Sequence, residues 1–192
     1  MNYAFRNGKI LDGTKEMKIQ QGLCILVTDL IPDANADLHN YKVIDLHGQY
    51  ILPGLINMHV HLAGNGKPQK KQRDNEKLVK TIMSSSLTRT IAYKMVAGFA
   101  KDELFSGVTT IRTVGGLGNF DTRLRDEIES GTKLGPRILA ANQGISVPGG
   151  HMTGSVAVAA STIPDALKQL EKAKQEKVDL IKLMITGGVL FC

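Results

Sequence analysis

The stretch Leu52–Leu62, LPGLINMHVHL, sets two histidines, His59 and His61, one residue apart inside an apolar run. The run reads as a β-strand of about Gly54 to His61. Successive side chains of a strand point to opposite faces, so residues two apart share a face. Both imidazoles therefore leave the same face of the strand near its C-terminal end. A single buried histidine is usually a hydrogen-bonded core residue. Two on one strand face would each need a polar partner in an apolar setting, whereas two neutral imidazoles side by side can grip one cation. The spacing favours the cation.

Downstream of this strand the pattern alternates. A polar loop from Ala63 to Arg73 leads into a long helical stretch, about Asn75 to Phe105, with Leu78, Ile82, Met83, Ile91, Met95 and Phe99 near helical spacing, interrupted by Ser84, Ser85 and Ser86. GVTTIRTVGG is a second strand. NFDTRLRDEIESG is a short helix, with Asp121 as candidate cap at its start and Gly131 at its end. GPRILAANQGI is a third strand and SVPGGHMTGSV a loop. TIPDALKQLEKAKQEKV is an amphipathic helix with Thr162 as candidate cap and Pro164 in its first turn. DLIKLMITGG is a fourth strand. Alternating strands and helices predict βαβ units and a parallel sheet.

Upstream, Met1 to about Tyr50 reads as short strands and turns. Asn7-Gly8 predicts a hairpin, GLCILVTDLI one apolar strand, and YKVIDLHGQYIL two strands around His47-Gly48. The domain boundary is placed between residues 53 and 54.

Composition narrows the function classes. The chain has 192 residues, 42% hydrophobic and 22% charged, within the ordinary range for a globular protein. Its two cysteines, Cys24 and Cys192, are far apart and lack metal spacing, which fits a reducing compartment. No secretory leader pattern and no membrane-length apolar run are found, so a cytoplasmic location is expected. The net charge of +6 raises nucleic-acid binding. The basic run Gly66–Arg73 has no interleaved aromatics, however, and reads as a solvated loop. No nucleic-acid and no membrane partner is expected.

Two further features sit where sites are built in parallel β/α folds, at the C-terminal ends of strands. Glycine pairs Gly115-Gly116, Gly149-Gly150 and Gly187-Gly188 follow strands two, three and four. They either let backbone approach a ligand or simply punctuate loops. Lys182 lies between Ile181 and Leu183 in the fourth strand. Alternation places Lys182, Met184 and Thr186 on one face and Ile181, Leu183 and Ile185 on the other. Desolvation depresses a lysine pKa; the neutral amine can add carbon dioxide, giving a carbamate able to bridge two cations. The competing reading is a lysine that snorkels from a strand end.

The runs ILPGLINMHVHL and DLIKLMITGG, with NGKILDG, VIDLHGQYILPG, GVTTIRTVGG and PRILAANQGISVPGGH, resemble the amidohydrolase superfamily of metal-dependent hydrolases. The resemblance is to the branch related to imidazolonepropionase and prolidase-like dipeptidases, over essentially the whole chain. It implies an α/β fold: the first four units of a (β/α)8 TIM-like barrel over residues 54–192, preceded by a small β-sandwich segment over residues 1–53. It implies that His59 and His61 are strand-one metal ligands, that Lys182 is the carboxylated lysine that bridges a zinc pair, with one or two zinc ions expected, and that His151 contacts substrate. The implied reaction is hydrolysis of a carbon–nitrogen bond in a small amide, dipeptide or N-acyl amino acid. A divalent ion polarises the carbonyl and lowers the pKa of water to about 7. Asn57 stands where the family often has Asp, and VTDLIPDAN departs from its usual turn. The further histidines of strands five and six and the proton-transferring aspartate of strand eight have no counterpart, and His39 and His47 match none of them. No catalytic residue is therefore assigned. The expectation is an N-terminal portion of a hydrolase, incomplete alone, whose partner is a second chain or a C-terminal half; the alternative is a noncatalytic fragment that binds metal or associates through its open strand edges.

Overall fold

The computed structural model describes residues 2–26, 30–32, 37–64, 66 and 74–185. The chain divides into two units, Met1–Gly54 and Leu55–Cys192.

In the first unit the chain turns at Asn7, whose φ of 56° lies in the left-handed region. The expected hairpin does not form there. Strands β1 (Asn2–Arg6) and β2 (Lys9–Leu11) enter different sheets. With β3 (Ile19–Gln20), β4 (Leu23–Leu26), β5 (Leu30–Pro32), β6 (Tyr41–Asp45) and β7 (Tyr50–Ile51), the sheets run β5-β4-β1-β6 and β3-β2-β7. The β1–β2 and β6–β7 segments run parallel and bend together. Gly48 N–H donates to Asn7 O at 2.7 Å and Lys9 N–H to Gln49 O at 2.9 Å. Asn-Gly makes a corner where each ribbon switches sheet, because the parallel partner satisfies backbone groups that a hairpin would have satisfied internally. GLCILVTDLI is likewise two strands: β4 and β5 pair antiparallel, with Leu23 opposite Pro32. The departure expected in VTDLIPDAN falls largely outside the described residues. Buried here are Ala4, Ile10 and Cys24.

The second unit opens with β8 (Leu55–Val60). The long helix is two helices, α1 (Asn75–Met83) and α2 (Ser86–Phe105). Ser85 is extended (φ −129°, ψ 157°) and its hydroxyl accepts from Thr88 N–H, so the serine run acts as a cap rather than helix interior. The buried stripe of α2 is Ala92, Tyr93, Val96 and Ala100. Ile91 and Met95, expected on the core face, are exposed; small alanines let the helix sit close to the sheet, and the larger residues fall outside the contact.

β9 (Val108–Thr113) follows, then α3 (Phe120–Glu129). Asn119, not Asp121, occupies the N-cap of α3, without a side-chain cap bond. Gly131 follows the Ser130 C-cap with φ 74°, as expected of a terminating glycine. The third strand of the sequence reading is divided: β10 (Arg137–Leu139) pairs with β9, and β11 (Gly144–Ser146) belongs to the next sheet. Asn142 makes the break. Its φ is 54°, its amide oxygen accepts from Thr122 N–H at 3.0 Å, and its amide nitrogen donates to Thr122 Oγ1 and Glu176 Oε2. A left-handed residue cannot continue a strand, and the buried side chain ties this jog to the helix layer.

A short strand that the sequence did not disclose, β12 (Ala157–Ala159), lies parallel to β11. α4 (Ile163–Gln175) starts at the expected Thr162 cap with proline in its first positions, and Asp165 completes a capping box that the sequence reading had not named. β13 (Leu183–Met184) pairs parallel with β11. The described orders are β10-β9-β8 and β12-β11-β13. Backbone bonds cross the jog from Asp179 N–H to Ala140 O and from Gly116 N–H to Asn142 O, both 2.8 Å. Asp179 Oδ2 accepts from Ala140 N–H and from the Arg125 guanidinium, locking the approach to β13 against α3. The core, including Val60, Leu62, Ala92, Val96, Ile111, Phe120, Leu124 and Ile138, lies between the strands and α2 and α3. Among the described residues no helix is long and apolar enough to cross a membrane.

Candidate metal centre

His59 and His61 emerge at the C-terminal end of β8 with ring centroids 5.3 Å apart, edge to face. The strand alternation read from HVH therefore places both rings together, while Val60 between them is buried in the core.

The His61 ring is held from behind. Its Nδ1 lies 3.0 Å from Gly115 O. A carbonyl oxygen only accepts, so Nδ1 carries the proton and Nε2 keeps its lone pair. A backbone carbonyl on one ring nitrogen and a free lone pair on the other is the arrangement of a metal-binding histidine. Gly115 is required for it. Its φ is 138°, and a Cβ there would lie 3.3 Å from His61 Cε1 and Nδ1 and from Val156. A Cβ on Gly116 would run into the Asp121 carboxylate. The first glycine pair thus admits side chains of the protein itself. Gly150 is crowded by Ser146 and Val147, while nothing approaches Gly149. Gly187-Gly188 lies outside the described residues.

Lys182 directly precedes β13 rather than lying within a longer strand, and its charge reaches the His59 ring. Partial desolvation of the otherwise exposed ring, followed by the charges of His61, Lys182 and Arg112, lowers the His59 pKa below its ordinary 6.5. This keeps the imidazole neutral near pH 7 and available as a ligand. The expected strand alternation is present at this point. Met184 is buried and Lys182 half-buried, while Ile181, Leu183 and Ile185 are exposed; Thr186 is outside the described residues. Lys182 packs its stem near Gly144, whose Cβ position is 3.3 Å from Lys182 Cγ.

His151 lies in the turn after β11, half-buried. No hydrogen bond among the described residues connects its ring to the histidine pair. Among the described residues no group of three or more histidine, cysteine, aspartate or glutamate side chains is gathered to hold an ion. The donors present are two imidazoles and a lysine amine; they suit a borderline cation such as zinc only if the lysine becomes an anionic oxygen donor.

Four further groups matter at these strand ends: Gly115 and Asp121, read from the sequence as a loop glycine and a helix cap, and Arg112 and Ser146, which the sequence reading did not single out. Gly115 acts through its carbonyl. Arg112, on β9, donates from Nε to Met58 O at 2.8 Å; a charged residue inside a β-branched strand was the available signal. Ser146 and Asp121 are buried, each with one side-chain oxygen lacking a partner among the described residues. Burial pushes the Asp121 carboxyl up to about 6, opposed by a hydrogen bond from Thr113.

A family model described as the amidohydrolase family matches residues 50–191. Dihydroorotases are similar over shorter stretches: that of Bacillus cytotoxicus is 33% identical over 78 residues, 37% of this chain and 17% of that protein. The Syntrophobacter fumaroxidans dihydroorotase is 34% identical over 76 residues, 36% of this chain and 17% of that protein. Among solved structures, an amidohydrolase superposes with a TM-score of 0.79 at 26% identity, covering 98% of this chain and 48% of the other. A Xaa-Pro dipeptidase with methionine in its active site gives 0.73 at 26% identity, over 99% and 48%. A Bifidobacterium longum protein assigned as a prolidase gives 0.75 at 29% identity, over 98% and 42%. The chain thus spans just under half the length of these solved structures and a smaller share of the dihydroorotases.

Proposed function

Taking as premise that the chain belongs to the amidohydrolase family, whose model covers residues 50–191, we propose that it forms part of a hydrolase acting on a carbon–nitrogen bond of a small amide. Prolidase-like neighbours support a dipeptide or N-acyl amino acid as substrate. One observation carries the reading: His59 and His61 present adjoining rings 5.3 Å apart, with the His61 proton fixed on Nδ1 by Gly115.

His59 and His61 would hold a divalent ion, zinc by donor type, and Lys182 would join them as a carbamate. Carbamate formation joins the lysine amine nitrogen to the carbon of carbon dioxide and releases one proton. When bound, the ion supplies Lewis acidity toward the substrate carbonyl. The residues here bind and orient. Gly115 holds the His61 tautomer, and partial desolvation together with neighbouring positive charge favours the neutral form of His59. His151 is proposed as a substrate contact from the turn after β11.

The domain reading belongs to the same proposal: a β-sandwich segment over residues 1–53 and the first four β/α units of a TIM-like barrel over 54–192. Coverage of 42% to 48% of the solved relatives supports it. So do apolar side chains left exposed on β8 and at β13 and its following residue, including Leu55, Ile56, Met58, Leu183 and Ile185. In a closed barrel such strands are covered by further β/α units. The same exposed residues favour a second reading, in which the chain binds metal without turnover and associates with a partner chain.

The test is reconstitution with zinc in bicarbonate, followed by elemental analysis and assay against Xaa-Pro dipeptides and N-acyl amino acids. A carbamate carbon signal after labelling with ¹³C-bicarbonate, lost in Lys182→Met, is expected together with bound zinc. Retention of no metal by the wild type, or retention undiminished in His59→Ala/His61→Ala, overturns the proposal.

A further inference from the structure

We propose that Asn57 and Arg112 are positioning residues that grip the two ends of one peptide unit, Met58–His59, and thereby set the aim of the His59 imidazole. The register of β8 on β9 shows why a grip is needed. Asn57 pairs with Ile111 and the next pair is Val60 with Thr113. Over this interval three steps along β8 match two along β9, reversing the opposite shift between Leu55 and Ile56, so β8 carries a local extra residue here and Met58 and His59 have no counterpart in the register. A bulge of this kind bends the strand and re-aims a side chain. β8 is also the edge of its sheet as described, so no strand on its other side restrains the bulge.

Two side chains supply the restraint. Arg112 Nε donates to Met58 O at 2.8 Å. Asn57 Oδ1 accepts from His59 N–H at 3.2 Å, two residues along, in the geometry of an Asx turn. The Met58 carbonyl and the His59 N–H are opposite ends of the same planar unit. A bond at each end fixes the orientation of that plane. The plane sets the direction in which the His59 Cα–Cβ bond leaves the strand, and so where the ring stands relative to His61. One clamp residue comes from β8 itself and the other from β9, so the aim of His59 is tied to the correct packing of two strands. His61 has a comparable support in Gly115 O, and the clamp gives its partner histidine one.

The clamp stands on geometry alone; only its consequence for metal affinity rests on His59 being a ligand. Asn57→Leu removes the acceptor, Asn57→Asp keeps it, and Arg112→Met keeps the stem while removing the donor. Each is made in the full 192-residue chain. Two readouts are taken: the imidazole resonances of His59 and the His59–His61 inter-ring NOE in the metal-free protein, and cobalt(II) affinity from visible absorption. Asn57→Leu and Arg112→Met should each shift the His59 ring signals, weaken the NOE and lower cobalt affinity about 10- to 100-fold, the usual effect of losing an outer partner of a ligand. Asn57→Asp should restore both. A fold that merely loosens would move His61 and core resonances equally, and that result overturns the proposal. So do unchanged His59 signals in both Asn57→Leu and Arg112→Met, or an Asp variant as impaired as the Leu variant. If Asn57→Leu fails to fold, Arg112→Met and Asn57→Asp decide. If the wild type takes up no cobalt while the His59 signals respond as stated, the metal reading fails and the clamp stands.

Discussion

Replacing Asp121 with Asn should make the protein more stable at neutral pH and leave it nearly unchanged in acid. Asp121 sits in the first turn of α3, 1% exposed. One carboxyl oxygen takes a hydrogen bond from Thr113 and the other has no partner among the described residues. Burial raises its pKa from 3.8 to about 6. A carboxyl whose folded pKa exceeds its unfolded value holds its proton more tightly in the folded state. Stability therefore falls as pH rises from the unfolded value through the folded one, and is flat above it. A rise from 3.8 to about 6, at about 1.4 kcal/mol per pH unit, corresponds to a loss of about 3 kcal/mol between pH 4 and pH 7. Asn has nearly the same shape and no charge to desolvate, so its stability should lack this fall. Urea denaturation at pH 4 and pH 7.5 measures both proteins. The expected difference in unfolding free energy, variant minus wild type, is near zero at pH 4 and about 1–3 kcal/mol at pH 7.5, reduced where the Asn amide itself lacks an acceptor. A difference independent of pH would refute the reasoning, because it would mean that Asp121 is not neutralised by burial in the folded protein.

Gly115→Ala should destabilise by about 1–3 kcal/mol, since φ of 138° is hostile to a side chain. The added methyl should also displace the His61 ring, seen as loss of its inter-ring NOE to His59. Thr162→Ala, which removes the capping box of α4, should lower stability by about 0.5–2 kcal/mol in thermal denaturation. Leu124→Ala, at a side chain 1% exposed in the core, should cost about 2–5 kcal/mol by the same measurement. Tyr93→Phe removes a 2.7 Å bond to Glu127; calorimetry should show a loss of about 1 kcal/mol.

The sequence by itself determined what depends on neighbours along the chain. HVH placed two imidazoles on one face because a strand repeats every two residues, and the same rule put Lys182 with Met184, away from Leu183 and Ile185. Thr162 with Pro164 was legible as a helix start because a cap and a first-turn proline act within one turn, while the reciprocal bond from Asp165 was seen only in the structure. The alternation of strands and helices, and with it the α/β class, followed from periodicity alone. Tertiary structure decided whatever turns on hydrogen bonds between distant residues. Asn7-Gly8 became a corner rather than a hairpin because the segment around His47 offers the backbone a parallel partner. The third strand broke at Asn142 because its side chain is claimed by Thr122 and Glu176 from two helices. The tautomer of His61 rests on a carbonyl 54 positions away, and the peptide before His59 on an arginine equally remote from Met58. A local pattern can state which face a ligand leaves; only the packed strands fix which of its atoms is free and where it points.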